Sequence, residues 1–268
     1  MAIEKKGDNQ GFWEEHIEVH SYDVDVTKRL TLECLLKYFQ ESAWNHAEHL
    51  GFGYSRLLSK NQIWVLSRMM VVADSYPEWG QSVVVRTWPC GSMSQLALRD
   101  FEMLDSNGCK LLGATSGWLV LDLKSRRPQR IEPILGSMRT FTGYRAVGAE
   151  AAKLSPGAES TPLAVLDVKY SDLDLNYHVN NTTYARWILD SYPVDFHRTH
   201  RLRSITLNFL AEVGGDHPVV LSSQELGAFR MAHAIRRKID NIEACRAELV
   251  WEDCGEPGNG DACFSGQV

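Results

Sequence analysis

No run of apolar residues in this 268-residue chain approaches the roughly 18 needed to cross a bilayer as a helix. The first eleven residues are polar. They hold neither the apolar core of a signal peptide nor the Arg- and Ser-rich pattern of a transit peptide, so a cytoplasmic protein off the membrane is expected. Basic residues are outnumbered, 28 Lys and Arg against 34 Asp and Glu, for a net charge of -6. A nucleic-acid binder would carry a basic domain, so no nucleic-acid partner is expected. The six cysteines, Cys34, Cys90, Cys109, Cys245, Cys254 and Cys263, form no CxxC pair and no compact framework. Disulfide scaffolds and zinc sites are disfavoured by those spacings, and scattered reduced thiols are expected. His46 and His49 stand three apart, but no carboxylate motif completes a metal site around them. No metal and no cofactor is expected.

What is present is a globular composition, 44% hydrophobic and 23% charged, long enough for one large domain or two ordinary ones. Phe12 to Val26 reads as strand. Leu32, Leu35, Leu36, Phe39, Ala43, Ala47 and Leu50 recur at helical spacing between the N-cap Thr31 and Gly51, which predicts a helix of about 20 residues. Strand patterns follow at 63–73, 82–88, 97–104 and 111–122, with a hairpin signal at Asn107-Gly108. Thr140 to Pro162 lacks periodicity and reads as a linker centred on 147–162. The order then repeats: a short strand at 166–171, a helix from about Asn180 to Ser191, and strands at 202–211, 218–226, 231–239 and 243–252. This predicts an α+β fold built by internal duplication into two tandem domains. The domains are expected at 12–140 and 163–253, joined by a linker at 141–162 and followed by a frayed tail at 254–268.

Polar chemistry concentrates in Asp172-Leu173-Asp174-Leu175-Asn176-Tyr177-His178-Val179-Asn180-Asn181, just ahead of the second helix. Carboxylates, amides and an imidazole beside a helix N-terminus suit polarising a carbonyl and directing a water. Taken singly, these residues have plainer readings. Asp172 is expected to be a turn or cap residue, His178 a surface or satisfied histidine, and Asn180 and Asn181 helix caps.

The set Gln40-Glu41-Ser42-Ala43-Trp44-Asn45-His46, Ile63 to Met69, Tyr76 to Gly80, Arg86-Thr87-Trp88 and Asp174 to Asn181, with Tyr184 and Trp187, resembles the acyl-(acyl carrier protein) thioesterases of plant and bacterial type. The resemblance runs from about Trp13 to Trp251. It implies two tandem hotdog domains, each a long helix wrapped by an antiparallel sheet, the first enclosing the acyl chain and the second holding the catalytic residues. It implies catalytic roles for Asp174, Asn176 and His178. It implies a fourth for Glu212, where many plant members follow the glutamate with a cysteine and this chain has Val213. The oxyanion is expected at the helix start, Asn180 and Asn181. The implied activity is hydrolysis of acyl-acyl carrier protein to free fatty acid, which ends chain elongation. The implied partner is acyl carrier protein bearing a 4'-phosphopantetheine-linked acyl chain, met by a monomer or a homodimer. Either water attack assisted by a carboxylate or a transient anhydride fits this residue set. An acyl-CoA thioesterase, a non-catalytic acyl-thioester binder and a dehydratase are the alternatives on such a scaffold. Of the basic clusters, Arg126-Arg127 with Arg130, Arg198-Arg201-Arg203, and Arg236-Arg237-Lys238, the second-half pair is favoured as the carrier's landing site.

Overall fold

A computed structural model describes residues 4–9, 11–136, 140–156 and 160–255. Eleven strands form one antiparallel sheet. In chain order they are β1 (Glu4–Asn9), β2 (Phe12–Glu18), β3 (Gln62–Ala73), β4 (Ser82–Met93), β5 (Leu96–Asp105), β6 (Lys110–Asp122), β7 (Thr161–Leu166), β8 (His200–Phe209), β9 (Val219–Gly227), β10 (Arg230–Arg237) and β11 (Glu243–Asp253). The helices are α1 (Leu32–His49), α2 (Tyr54–Ser59), α3 (Glu132–Leu135), α4 (Asn181–Leu189) and α5 (Val194–Thr199). Across the sheet the order is β1-β2-β4-β5-β6-β3-β8-β11-β10-β9-β7. From the β3–β8 seam outward, one side reads β3, β6, β5, β4, β2 and the other β8, β11, β10, β9, β7. The duplication therefore appears as two like halves joined edge to edge, with Met70 opposite Thr206 at the seam.

The long helix forms where its stripe predicts. Thr31 accepts the Cys34 N–H at 3.2 Å as N-cap, and Leu35, Leu36, Phe39 and Ala43 are buried against the sheet. One continuous core holds these side chains together with Tyr184, Ala185 and Ile188 of α4 and Leu207 and Leu249 of the second half. At roughly 25 cal/mol per Å² of apolar area, such shared burial, rather than helix propensity, holds each short element in place.

Several elements differ from expectation. β2 stops at Glu18, because the chain turns there into a loop pinned by Asp23, which accepts the His20 N–H at 2.9 Å and the Tyr38 hydroxyl at 2.7 Å. β7 is Thr161–Leu166, and residues 167–169 are irregular. Pro162 reads as a linker residue in sequence, yet β7 pairs only with β9 and an edge strand tolerates a proline. The second helix is short, nine residues against eighteen in α1. It ends ahead of Pro193, which restricts the residue before it and cannot join a helical ladder. β1, α2, α3 and α5 lack a periodic signature and were not expected. Most of the predicted tail, 256–268, lies outside the described residues.

The linker has little secondary structure but is closely tied down. Buried Asp100 on β5 accepts the Ala146 N–H and the Arg145 Nε–H, both at 2.9 Å. Asn208 on β8 accepts the Leu154 N–H at 2.8 Å and donates to the Ala152 carbonyl at 2.9 Å. The strap thus bonds to both halves of the sheet.

Candidate active site

The two halves carry the same loop ahead of their helices. In the second half the Asp174 N–H donates to the His178 carbonyl at 2.8 Å, Tyr177 N–H to Asp174 at 3.1 Å and Asn180 N–H to Asp172 at 2.8 Å. In the first half Asp25 N–H donates to Arg29 at 3.0 Å, Lys28 N–H to Asp25 at 2.9 Å and Thr31 N–H to Asp23 at 2.9 Å. Tyr177 and Lys28 both sit in the left-handed region, at φ 60° and 63°. The underlying sequences, Asp23-Val24-Asp25-Val26-Thr27-Lys28-Arg29-Leu30-Thr31 and Asp172 to Asn180, align without a gap. The repeat is legible in the sequence as two Asp-x-Asp segments in register.

The twin serves as an internal control. Asp174 accepts the Asn176 N–H at 2.7 Å and the His178 N–H at 3.3 Å. Asp25 likewise accepts the Thr27 N–H at 2.7 Å. Turn-building is therefore common to both aspartates. Asp172 is buried: one oxygen takes the Lys169 N–H at 2.6 Å and the other contacts the Arg186 guanidinium. What the second half has instead of Thr27 and Arg29 is Asn176 and His178. The side chain of Asn176 is solvent-exposed.

Beyond β8 the chain passes the loop again. The Val179 N–H donates to the Val213 carbonyl at 2.9 Å, as Leu30 N–H does to Pro77 at 2.8 Å. That contact delivers Glu212, whose Oε2 lies 3.5 Å from His178 Nε2. In the first half the corresponding residue is Tyr76. The same Glu212 oxygen contacts the Arg126 guanidinium, which reaches over from the loop after β6. Arg237 Nη1 donates to the Glu212 carbonyl at 3.2 Å and fixes its backbone. Of the sequence candidates, then, His178 and Glu212 meet through their side chains, and Asp174 meets His178 through its backbone. Arg126 belongs to this cluster and was missed as a site residue; only its basic neighbourhood was visible in sequence.

Asn180 caps α4 by accepting the Thr182 N–H at 2.9 Å, and its carbonyl takes the Thr183 N–H at 3.0 Å. That leaves the Asn181 N–H as the available donor at the positive end of the helix. Asn181 and Thr182, with Gln40 of α1, are polar lining residues of a cleft holding about 370 Å³ of empty space, part of it open solvent. Phe39, Met69 and Phe101 line its apolar wall, with the two phenyl rings stacked at 4.8 Å. The cleft lies at the junction of the halves, bounded by α1, β3, β5, β6, α4 and β8. The Thr182 hydroxyl on its lining is buried without a hydrogen-bond partner among the described residues.

The buried thiols are unsuited to nucleophilic attack. Burial pushes Cys90 up to about 12 and raises Cys245 above the ordinary thiol range, and partial burial also raises the half-buried Cys34. His46 stacks on Trp13 and has its Nδ1 3.1 Å from the Arg99 guanidinium. No cluster of three or more His, Cys, Asp or Glu suited to a metal occurs among the described residues.

Two helix-and-sheet units sharing one antiparallel sheet, with a helix start facing an apolar cleft, define the double-hotdog class. Family models match residues 11–136 as an acyl-ACP thioesterase N-terminal domain and 158–253 as an acyl-ACP thioesterase C-terminal domain. The chain belongs to the acyl-ACP thioesterase family. It is 32% identical to a chloroplastic palmitoyl-acyl carrier protein thioesterase of Gossypium hirsutum over 260 residues, covering 88% of this chain and 63% of that protein. It is 31% identical to the chloroplastic oleoyl-acyl carrier protein thioesterase 1 of Arabidopsis thaliana, covering 89% and 75%. The chain thus spans less than two thirds of the cotton protein's length. A crystal structure of an acyl-ACP thioesterase from Bacteroides thetaiotaomicron superposes with a TM-score of 0.81 at 25% identity, over 90% of this chain and 98% of that one. The 12:0-ACP thioesterase of Umbellularia californica shares the fold, with a TM-score of 0.82 at 24% identity over 92% and 100%. No helix among the described residues is long and apolar enough to cross a membrane.

Proposed function

We propose that this chain hydrolyses the thioester of acyl-acyl carrier protein, releasing free fatty acid and ending chain elongation. The observation that carries the reading is the apolar cleft lined in part by the α4 N-terminus, three residues after His178, whose imidazole meets Glu212. The alkyl chain lies along the apolar wall of this cleft, with its thioester at Asn181 and Thr182. The Asn181 N–H then polarises the carbonyl oxygen. Water attacks the carbonyl carbon and gives its proton to Glu212, with His178 orienting both. The C–S bond breaks and the thiolate leaves, needing little acid help because a thiol has a pKa of about 8.5. The Asn176 amide positions the water or the thioester, and Asp174 holds the loop that presents His178. Water attack is favoured over an anhydride because the Glu212 oxygen nearest His178 is also engaged by Arg126, which suits a fixed base better than a mobile nucleophile. One chain supplies both halves of this site, so a monomer suffices.

The test is thiol release from acyl-carrier protein and from the same acyl group on CoA. His178→Ala and Glu212→Gln are each expected to lower turnover by about 10²–10⁴-fold without unfolding the protein. Near-normal turnover in both folded variants would sink the assignment. Faster cleavage of the CoA ester would identify an acyl-CoA thioesterase instead.

A further inference from the structure

The loop after β6, Leu123 to Arg130, carries Lys124, Arg126, Arg127 and Arg130 and no acidic residue. It is held rigidly. Asp122 accepts the Ser125 N–H at 2.7 Å and the Lys124 N–H at 3.1 Å. Asn61 bonds the other oxygen of Asp122 at 3.2 Å. The Arg126 N–H donates to the Asp122 carbonyl at 2.8 Å, and Arg126 stands in the left-handed region at φ 57°. The Arg126 side chain then contacts Glu212. This fastens the loop of the first half beside the catalytic candidates of the second.

Lys124, Arg127 and Arg130 are exposed on that loop, and no carboxylate pairs with them among the described residues. The second-half arginines differ. Arg201 pairs with Glu252 at 2.6 Å, Arg203 with Asp74 at 2.7 Å, Arg198 with Asp195 at 3.6 Å and Arg236 with Glu243 at 3.8 Å. Arg237 Nε donates to Asp240 at 3.1 Å. Their fields are largely cancelled at short range, whereas the loop projects unneutralised positive charge from a protein of net charge -6. The first-half loop therefore offers basic side chains near Glu212 that no carboxylate neutralises among the described residues, whereas the second-half arginines are paired.

We infer that Lys124, Arg127 and Arg130 form the docking surface for the acidic face of the carrier protein, fixed at the site by the Arg126–Glu212 contact. This rests on the reading of the chain as a carrier-protein thioesterase. Docking there sets the carrier beside Glu212 and steers encounter electrostatically.

The test is the full-length double variant Arg127→Glu/Arg130→Glu, neither residue being part of the proposed catalytic set. Binding of holo-carrier protein is measured by fluorescence anisotropy. Hydrolysis of one acyl group is compared on carrier protein, on CoA and on N-acetylcysteamine. Expected are about a tenfold or greater loss of carrier binding, a matching rise in KM for acyl-carrier protein and a flattened salt dependence. The N-acetylcysteamine ester should be cleaved within about twofold of wild type, and Arg198→Glu/Arg201→Glu should bind carrier within that same margin. Unchanged carrier binding overturns the inference. So does an equal loss on the N-acetylcysteamine ester, which reports a damaged site, or on CoA, which reports phosphate recognition alone. If wild type binds carrier but releases no thiol, the hydrolase reading fails and docking is still decided by the binding arm. If it hydrolyses but the variant binds normally, docking alone fails.

Discussion

Replacing Asp172 separates scaffold from chemistry in the loop that carries His178. Asp172 is 2% exposed. Its carboxylate accepts the Lys169 N–H at 2.6 Å and meets Arg186, while its carbonyl holds the Asn180 N–H at 2.8 Å. Arg186 is only partly buried and also lies 3.3 Å from Glu33 on α1. Asp172→Ala therefore leaves Arg186 one carboxylate partner, and the loss should fall at the low end for a broken buried pair, about 3 kcal/mol. For a chain of this size that is a drop of about 6–12 °C in Tm. Asp172→Asn keeps the volume and one acceptor but loses the charge, and should cost about 1.5–3 kcal/mol. Urea unfolding followed by tryptophan fluorescence reads both, with thioester hydrolysis assayed where each variant is folded. Turnover should fall in proportion to loosening of the loop, more in Ala than in Asn. A loss under about 1 kcal/mol for Asp172→Ala would refute the reasoning, because a buried, doubly bonded carboxylate cannot be removed that cheaply.

Two further outcomes follow from burial. His46 is held neutral, lowered to about 3 first by burial and then by the Arg99 charge; burial likewise lowers His233 to about 4. Each binds its proton less readily folded than unfolded. Their stabilisation is thus fully present above about pH 6.5 and is lost as pH falls toward 4, by at most about 1.4 kcal/mol per pH unit for each histidine. Urea midpoints across that window should show a shallower slope for His46→Gln than for wild type, and identical slopes would contradict this. A Cβ at Gly113 would meet the Ala146 carbonyl oxygen at 2.7 Å and Val147 Cγ1 at 3.3 Å. Gly113→Ala should therefore cost about 1–3 kcal/mol in thermal denaturation, and an unchanged Tm would mean the strap yields there.

How much was legible in advance depended on the range of the interactions involved. α1 and most strands of the two halves are readable because their apolar spacing is a local property, and Asn107-Gly108 forms its turn with Asp105 accepting the Asn107 N–H at 2.9 Å. β7 was misplaced because a proline on an edge strand looks like a linker. The strap was read as featureless because its bonds run to Asp100 and Asn208, far away in sequence. His178 and Glu212 were named through family likeness rather than spacing, and nothing local joins them. Arg126 was invisible as a partner of Glu212 because the two lie 86 residues apart.

The seam between β3 and β8 also bears on how the chain is made. β3 gains its second neighbour only when residues 200–209 have been synthesised. Until then Met69, Val71 and Ala73, all buried in the finished protein, belong to a strand with a bare hydrogen-bonding edge. A nascent first half is therefore sticky in two ways, through its unpaired backbone and through the apolar face that α4 will later help to cover. At about 5–20 residues per second, this exposure lasts on the order of ten seconds after β6 has paired. The join between the two repeats is thus also the step before which the growing chain is most exposed to aggregation.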